Sequence, residues 1–554
     1  MGIYDIFDIG RLGIKAQQTA IQVTSHNIAN INTDGYSRQE VVFDEAAPVN
    51  GNPGQVGRGV NVASIRRKYD SFIEGQLLDS KQSFGNLELQ KSALAKLETI
   101  FYDSQGTGIN NLLDDFFKSF QDVSANPSGT PERISLLSKA GAFADTVNNT
   151  YSSLVQVQKD VNAQISQTVT NINNLTSQIS DLNVKISEAE NVGQNANDFR
   201  DKRGQLLNDL AKKINIQSYE GANGQISVIG AGSALLVDKG TSWNLGVKNN
   251  ADNNGYYNVV YNPSGSNSAD ITNSISNGNL KGLITIRDTT TSGVIDKIDR
   301  FAASVANEIN QVHRGGFGLD GSTGVNLFTP ALEAGDAASV SAGSANSNKS
   351  NVNVSIDDPT KLTYQNYELT FSNGSYTIKN KTTNNLQSNV YSNPSVFTFE
   401  GLSFNITGTH ADGDTFSISA HKDAAKNLKV ALTTSETDKI AAATVSDSNR
   451  GDNRNAVAIS QLQDKLTVDG NSSFNGYYSS IVGAIGADSQ YASSSFAAQD
   501  FSMKQMKNMR ESVSGVSLDE EMTNIMKFQR AYEASARLIT VGDELLQTLI
   551  GMVK

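Results

Sequence analysis

The sequence predicts a multidomain α+β protein. Discontinuous, coiled-coil-like terminal helices and a long helical domain are expected to carry β-rich outer domains inserted in the middle of the chain. Apolar residues recur with helical spacing at both ends and between about residues 70 and 215, whereas from residue 217 the pattern alternates with a period of two. A chain of 554 residues is also too long for one hydrophobic core.

Residues 1–35 are predicted to form an N-terminal assembly helix. Apolar and small residues recur there at steps of three and four, which places them on one helix face: Ile6, Ile9, Gly13, Ala16, Ala20 and Val23. A second row repeats every seven residues on another face: Ile14, Ile21 and Ile28. One partner helix would therefore leave apolar surface uncovered. Turn-forming residues from Asn30 end the helix and lead into an extended segment, residues 36–70.

Residues 516–554 are predicted to form the C-terminal assembly helix. Apolar residues repeat there every seven positions: Leu518, Ile525, Tyr532, Ile539, Leu546 and Val553. Others follow members of that row by four positions: Met522, Ala536 and Ile550. Ser517 and Glu520 have the spacing of a capping box at the helix start. Heptads sustained over this length indicate a coiled-coil-like helix.

The interior divides into four further segments. We predict a long helical domain, a β-rich domain with one helix, an outer β domain, and a return segment that packs on the helical domain: residues 71–215, 216–335, 336–425 and 426–515. Within the first, the period from Tyr151 to Ala189 predicts a helical rod of about 60 Å. Asn-Gly and Asp-Gly pairs predict hairpin turns at residues 223–224, 254–255, 373–374 and 412–413. The polar stretch 339–353 is expected to be a linker or exposed loop.

The sequence offers no catalytic chemistry, so we predict no enzyme activity, catalytic residue, cofactor or metal. Cysteine is absent, and the four histidines form no zinc-binding pattern. Helix-surface or capping roles are expected for His26 and His313. The Gly-x-Gly-x-x-Gly string at 316–321 follows a predicted helix instead of a strand, which favours a glycine-rich turn over a dinucleotide site. The Asp412 and Asp414 carboxylates beside His410 are explained by a hairpin.

Composition also limits location and partners. The net charge of −12 and the absence of a basic stripe argue against nucleic-acid binding. No run of 18 apolar residues is present, and the acidic start of the chain differs from a cleaved signal peptide. The sequence therefore favours the cytoplasm or export that is independent of such a signal.

Both terminal segments resemble the axial proteins of the bacterial flagellum, the family of rod, hook and hook-associated proteins. Asn27-Ile28-Ala29-Asn30 followed by Thr33, Gly35 and Tyr36 is similar to the family's N-terminal signature. At the other end the resemblance lies in residues 518–522, 529–532 and 543–549. Interior segments 112–117, 200–207 and 451–456 resemble the hook-associated members, whereas rod and hook proteins lack the long helical domain.

The resemblance implies a structural protein that joins the flagellar hook to the filament. It implies pairing of the terminal helices, which would line the inner tube of a helical assembly of identical chains. It also implies secretion to the extracellular flagellum through the type III export apparatus without a cleaved signal peptide. Implied partners are the hook protein, hook-associated protein 3 as the second junction protein, and a cytoplasmic export chaperone. The alternatives are a hook-type axial protein and a surface adhesin or antigen that acts through the middle β domains.

Overall fold

A computed structural model describes residues 3–51, 54–102, 106–343, 346–347, 350–446, 451–468 and 470–552. It confirms a multidomain α+β fold with long helices at both ends and β-sheets in the middle. The α-helices are α1 (Ile3–Ala29), α2 (Ser71–Phe101), α3 (Ile109–Ala125), α4 (Thr130–Asn191), α5 (Asn197–Lys213), α6 (Gly278–Thr285), α7 (Ser292–Arg314), α8 (Ala424–Asn427), α9 (Arg454–Ser460), α10 (Phe474–Ser514) and α11 (Leu518–Met552).

The strands lie mainly between residues 39 and 67 and between 216 and 430. They are β1 (Gln39–Glu45), β2 (Val49–Gly51), β3 (Gly54–Val56), β4 (Val60–Arg67), β5 (Ile216–Glu220), β6 (Ile226–Gly230), β7 (Ala234–Asp238), β8 (Thr241–Ser242), β9 (Leu245–Asn249), β10 (Tyr257–Tyr261), β11 (Ala269–Asp270), β12 (Phe328–Thr329), β13 (Ser339–Ala342), β14 (Ser350–Ile356), β15 (Asn366–Ser372), β16 (Ser375–Asn380), β17 (Leu386–Val390), β18 (Ser395–Phe399), β19 (Leu402–Gly408), β20 (Thr415–Ser419) and β21 (Lys429–Val430).

The helical domain is organised around α4, which is longer than the sequence pattern indicated. We predicted a rod from Tyr151, but the helix begins at Thr130 with Pro131 in its first turn, a position that proline tolerates well. Its 62 residues extend about 93 Å at 1.5 Å per residue. The added turns are buried because α3 packs on them, with the Phe116 and Phe143 rings stacked at 6.4 Å. On another side of the domain, α2 and α10 run side by side.

Two small sheets pack on the C-terminal half of α4. One has the strand order β5-β6-β7-β8 and the other β11-β10-β9. The Asn183 side chain of α4 donates to the carbonyls of Ile226 and Lys239, so a buried amide fixes the first sheet on the helix. The one helix predicted within the β-rich domain begins at Gly278 as α6 and passes through a π-helical segment, Ile286–Thr291, into α7.

The outer β domain is a pair of facing sheets with the strand orders β13-β20-β15-β16-β17 and β14-β19-β18. Aromatic rings join them, as in the stacked pair Tyr376 and Phe397 at 4.6 Å. The linker predicted for residues 339–353 was wrong, because β13 and β14 lie within this stretch and pair with β20 and β19. Polar composition misled the prediction, since the alternating Val352, Val354 and Ile356 fill the domain core.

The predicted turns have different outcomes. Asn373-Gly374 closes the β15–β16 hairpin with both residues at positive φ, which Asn and Gly adopt most readily. The pairs at 223–224 and 254–255 also connect antiparallel neighbours. Asp412-Gly413 does not close a hairpin, because β19 and β20 belong to different sheets.

His313 does not have the surface role expected for it. Its side chain is fully buried, its Nδ1 lies 2.7 Å from the Val325 carbonyl oxygen, and its Nε2 accepts from the Ala441 amide at 3.0 Å. Burial lowers the pKa of His313 to about 4, so a neutral imidazole bridges α7 and the return segment.

Candidate assembly surface and its supporting motif

The two terminal helices pair antiparallel within the chain. An added Cβ at Gly10 would lie 2.7 Å from Ile539 Cγ1, and one at Gly542 would lie 3.3 Å from the Phe7 ring. Low residue numbers on α1 thus meet high numbers on α11. The glycines allow this close approach because they present no side chain to the partner helix.

The predicted N-terminal row lies on the covered side of α1. Ala16, Ala20 and Val23 are buried, and Ile6 and Ile9 are half-buried. The covering elements are α11 and the two-stranded β1–β4 ribbon. One face of α1 therefore has two neighbours within the chain.

The predicted C-terminal row divides into two groups. Ile525, Ala536, Ile539 and Leu546 are half-buried, and Ile539 packs against Gly10 of α1. The other members are exposed: Leu518, Met522, Tyr532 and Ile550. Val553 lies outside the described residues. The heptad row is therefore covered in part by α1 and remains open in part.

A further apolar stripe on α11 was missed by the heptad analysis. We call it the outer stripe; its members are exposed by 43% to 81% and are Leu538, Val541, Leu545, Leu549 and Met552. They recur at steps of three and four, so they lie along one flank, roughly a quarter turn around the helix from α1. The same spacing rule applied to every register of α11 would have identified the stripe from the sequence.

The N-terminal signature, residues 27–36, connects the paired helices α1 and α11 to the rest of the molecule. Its first residue, Asn27, makes four hydrogen bonds. Its Nδ2 donates to the Gln39 carbonyl at 2.8 Å and to Glu521 Oε2 at 3.0 Å. Its Oδ1 accepts from the Gln39 amide at 3.0 Å and from the Tyr36 hydroxyl at 2.8 Å. One buried amide thus connects α1, β1 and α11.

Glu521, only 1% exposed, is the acidic centre of this junction. Arg38 Nη2 lies 2.7 Å from Glu521 Oε1, and Arg38 Nη1 donates to Glu520 at 2.6 Å. In the predicted capping box, the Glu520 carboxylate would accept from the Ser517 backbone amide. This prediction was wrong, because the Glu520 carboxylate instead accepts from Arg38. The sequence could not show this, since Arg38 is 482 positions away.

Gly35 and Tyr36 connect the cluster of Asn27, Arg38 and Glu521 to α10. Gly35 has φ +77°, a left-handed conformation in which a Cβ would also lie 2.5 Å from Gln205. Arg510 donates from Nη2 to the Gly35 carbonyl at 2.9 Å and from Nε to Glu74 at 2.9 Å. Although burial opposes the charged form, the Glu74 carboxylate raises the pKa of Arg510. The guanidinium thus joins the signature loop to α2 and α10.

Tyr36 is a permanent hydrogen-bond donor in this setting. Burial, with the nearby carboxylates of Asp198, Asp201 and Glu521, raises its pKa well above the ordinary value. The remaining signature residues are peripheral, since the Thr33 hydroxyl donates to Asn30 Oδ1 at 3.2 Å and Asn30 Nδ2 donates to the His26 carbonyl at 3.0 Å. They shape the turn that ends α1.

We expect Gly10→Ala to weaken the helix pair by about 1–3 kcal/mol, because the new methyl group overpacks against Ile539 and the Ser535 carbonyl. The measurement is amide-exchange protection across α1 and α11. Gly483→Ala in α10 is the control, since its Cβ would have no neighbour within 4 Å. Equal protection in the two variants would contradict close packing at Gly10.

Within the described ranges, no cluster of three or more His, Asp or Glu side chains is arranged to hold a metal ion. Nor does any helix in this part of the chain combine the length and hydrophobicity needed to cross a membrane.

Comparison with known proteins gives three family matches. Residues 94–328 match the flagellar hook-associated protein FlgK helical domain, 7–36 match the flagella basal body rod protein, and 510–552 match the flagellar basal body rod FlgEFG protein C-terminal family. Flagellar hook-associated protein 1 of Escherichia coli (strain K12) is 28% identical over 98% of each chain. The Bacillus subtilis (strain 168) protein of that name is 28% identical over 98% of this chain and 97% of its own.

The flagellar hook junction protein FlgK from Burkholderia pseudomallei has a similar fold. It aligns with a TM-score of 0.70 at 21% identity, over 79% of this chain and all of the other. Paired terminal helices with rod-type signatures, joined to a long helical domain, define the class of flagellar axial structural proteins. Within that class, the chain is similar over nearly its full length to flagellar hook-associated protein 1, and its residues 94–328 match the FlgK helical domain.

Proposed function

We propose that this protein polymerises at the junction between the flagellar hook and filament, and that the outer stripe of α11 is a contact between subunits. The observation that carries the proposal is the division of α11 into a side covered by α1 and an apolar flank without cover among the described residues. Similarity to flagellar hook-associated protein 1 supports the location, and the hook protein and hook-associated protein 3 are the partners we infer for the two ends of the junction.

Burial energetics favour this role for the outer stripe. Covering apolar surface contributes roughly 25 cal/mol per Å², before the cost of ordering the partners. A flank of one helix that meets a different surface on the next copy makes a head-to-tail contact, and such contacts build open helical tubes. The hydrogen bonds of Asn27 and Arg510 would then fix the orientation of the helical domain and the outer domains relative to the paired terminal helices.

We further infer that the chain is exported through the flagellar type III apparatus and that a cytoplasmic chaperone covers the stripe before export. Exposed leucines at this density are an aggregation hazard in a free monomer. We also expect both terminal helices to be mobile in the monomer, since their pairing gives each helix only partial cover.

The outer β domain should be dispensable for junction formation. Ser339 of β13 pairs directly with Ser419 of β20, so the two chain ends of the domain lie side by side. Joining residue 338 to residue 420 through a short Gly-Ser linker removes both sheets and keeps the chain continuous through the rest of the molecule. We expect the variant to be exported and to support filaments, as judged by motility and electron microscopy in a strain lacking the natural protein.

The same variant separates the assembly role from an adhesin role. A stable, exported variant that forms no junction would contradict the assignment of assembly to the terminal helices. Intact motility with lost surface adhesion would assign a second, adhesive role to the outer domain.

A further inference from the structure

Helix α7 is the support on which the outer β domain sits, and several polar contacts join the two. Asp296 Oδ1 accepts from Asn366 of β15 at 2.7 Å and lies 2.9 Å from His421 Nε2. Asn307, farther along the helix, donates to the Pro359 carbonyl at 3.1 Å. Hydrogen bonds therefore contribute to the orientation of the outer domain on α7.

One contact of this support holds the segment by which the chain leaves the outer domain. Asp299, 4% exposed, accepts from the Asp423 amide at 3.1 Å and from the Ala425 amide at 2.8 Å. Asp423 has φ +62°, and its carboxylate accepts from the Tyr151 hydroxyl of α4 at 2.7 Å. We call residues 420–427 the return hinge.

We propose that Asp299 is a proton-dependent clamp that holds the return hinge, and with it the outer β domain, on α7. The carboxylates that face it disfavour a further negative charge at Asp299. Asp423 and Asp296 are both close enough to repel an ionised Asp299. The basic groups nearby are engaged elsewhere or sit at the rim: Arg300 pairs with Asp296 at 3.3 Å, His421 Nε2 lies 2.9 Å from the same carboxylate, and Lys422 lines the adjoining cleft.

Water can reach the clamp through that cleft. It has a volume of about 390 Å³ and is lined by groups from α4, α7 and the return hinge, among them Tyr151, Asp296, Asp299 and Asp423. A proton can thus exchange with solvent while the hinge is closed.

The direction of the pH effect is set by the difference in the pKa of Asp299 between the closed and the open hinge. Burial, reinforced by Asp423 and Asp296 and opposed by the two amide donors, raises the pKa of Asp299 to about 7 in the closed state. Opening the hinge exposes the group to water and restores its ordinary acidity. The closed state therefore holds the proton more tightly, so it is fully favoured at low pH and loses that advantage as pH rises through about 7.

The test is amide hydrogen exchange of the return hinge in the full-length protein at pH 5.5 and 8.5, with intrinsic exchange rates corrected. We expect protection of residues 420–427 to fall about tenfold or more at the higher pH, while the core of α4 is unchanged. Asp299→Asn cannot ionise and should abolish this pH dependence. Asp252→Asn, an exposed carboxylate on a surface turn, should leave it intact.

A second variant covers the case in which Asp299→Asn fails to fold. Asp423→Asn keeps a residue type that tolerates positive φ and an oxygen for the Tyr151 hydroxyl, but it removes one repelling charge. It should move the transition to lower pH. The proposal is overturned by pH-independent protection of the hinge in the natural sequence, by an unchanged transition in Asp423→Asn, or by a folded Asp299→Asn that retains the full pH dependence.

Discussion

Replacement of Arg510 by methionine is expected to loosen the terminal helix pair, α1 and α11, from the helical domain and to lower stability there by about 3 kcal/mol. The side chain is 9% exposed, and its guanidinium serves Glu74 and the carbonyls of Gly35 and Tyr36 at once. Methionine preserves most of the apolar stem but leaves the Glu74 carboxylate and the signature loop without their donor. The measurements are the thermal midpoint and amide exchange across residues 27–39.

Lys504→Met is the matched control for this variant. Lys504 lies on the same helix and pairs with Asp500 at 2.7 Å, but its side chain is 71% exposed. Exposed pairs contribute about 0–1 kcal/mol, so little change is expected. Similar losses in the two variants would show that Arg510 contributes no more than a surface charge.

The second large effect is expected for Leu545→Asp in the outer stripe. Leu545 is 46% exposed in the single chain, and surface substitutions usually change stability by about 0.5 kcal/mol or less. In an assembly that covers the stripe, the change loses roughly 1.5–3 kcal/mol of transfer energy and adds an uncompensated desolvation cost in every subunit. We therefore expect a normal thermal melt of the monomer together with loss of filament attachment and motility.

Thr540→Asp introduces the same charge at an exposed site on another flank of α11 and should be much milder. Normal motility in Leu545→Asp, or equal damage in both variants, would contradict a role for the stripe. Ile539→Asp, the substitution that the heptad row alone suggests, is a poorer probe. Ile539 packs against Gly10 within the chain, so its loss would also disturb the helix pair.

The sequence predicted the long periodic elements because each of them is recorded in local spacing. The heptads from Leu518 and the row from Ile6 located α11 and α1, and the Asn373-Gly374 pair located a hairpin. The start of α4 was missed because its first turns are covered by α3, and the apolar pattern of a helix buried on several sides is broad.

The supporting motif was recognised as a signature but not explained, and the reason is separation along the chain. Asn27 binds Glu521 and Arg510 binds Gly35, contacts that span more than 470 positions. Spacing rules operate within one element and carry no information on such pairs. The buried Asp299 was missed for the same reason, since its donors come from residues 423 and 425.

The most direct test of assembly through the outer stripe uses the absence of cysteine from the chain. A single Leu545→Cys substitution gives one maleimide-reactive site on the stripe, and Thr398→Cys on an exposed position of β18 gives the reference. Labelling is compared between purified monomer and intact flagella. We predict that the thiol at 545 reacts in the monomer and is protected in flagella, whereas the thiol at 398 reacts in both. Equal labelling at position 545 in the two states would contradict assembly through this face.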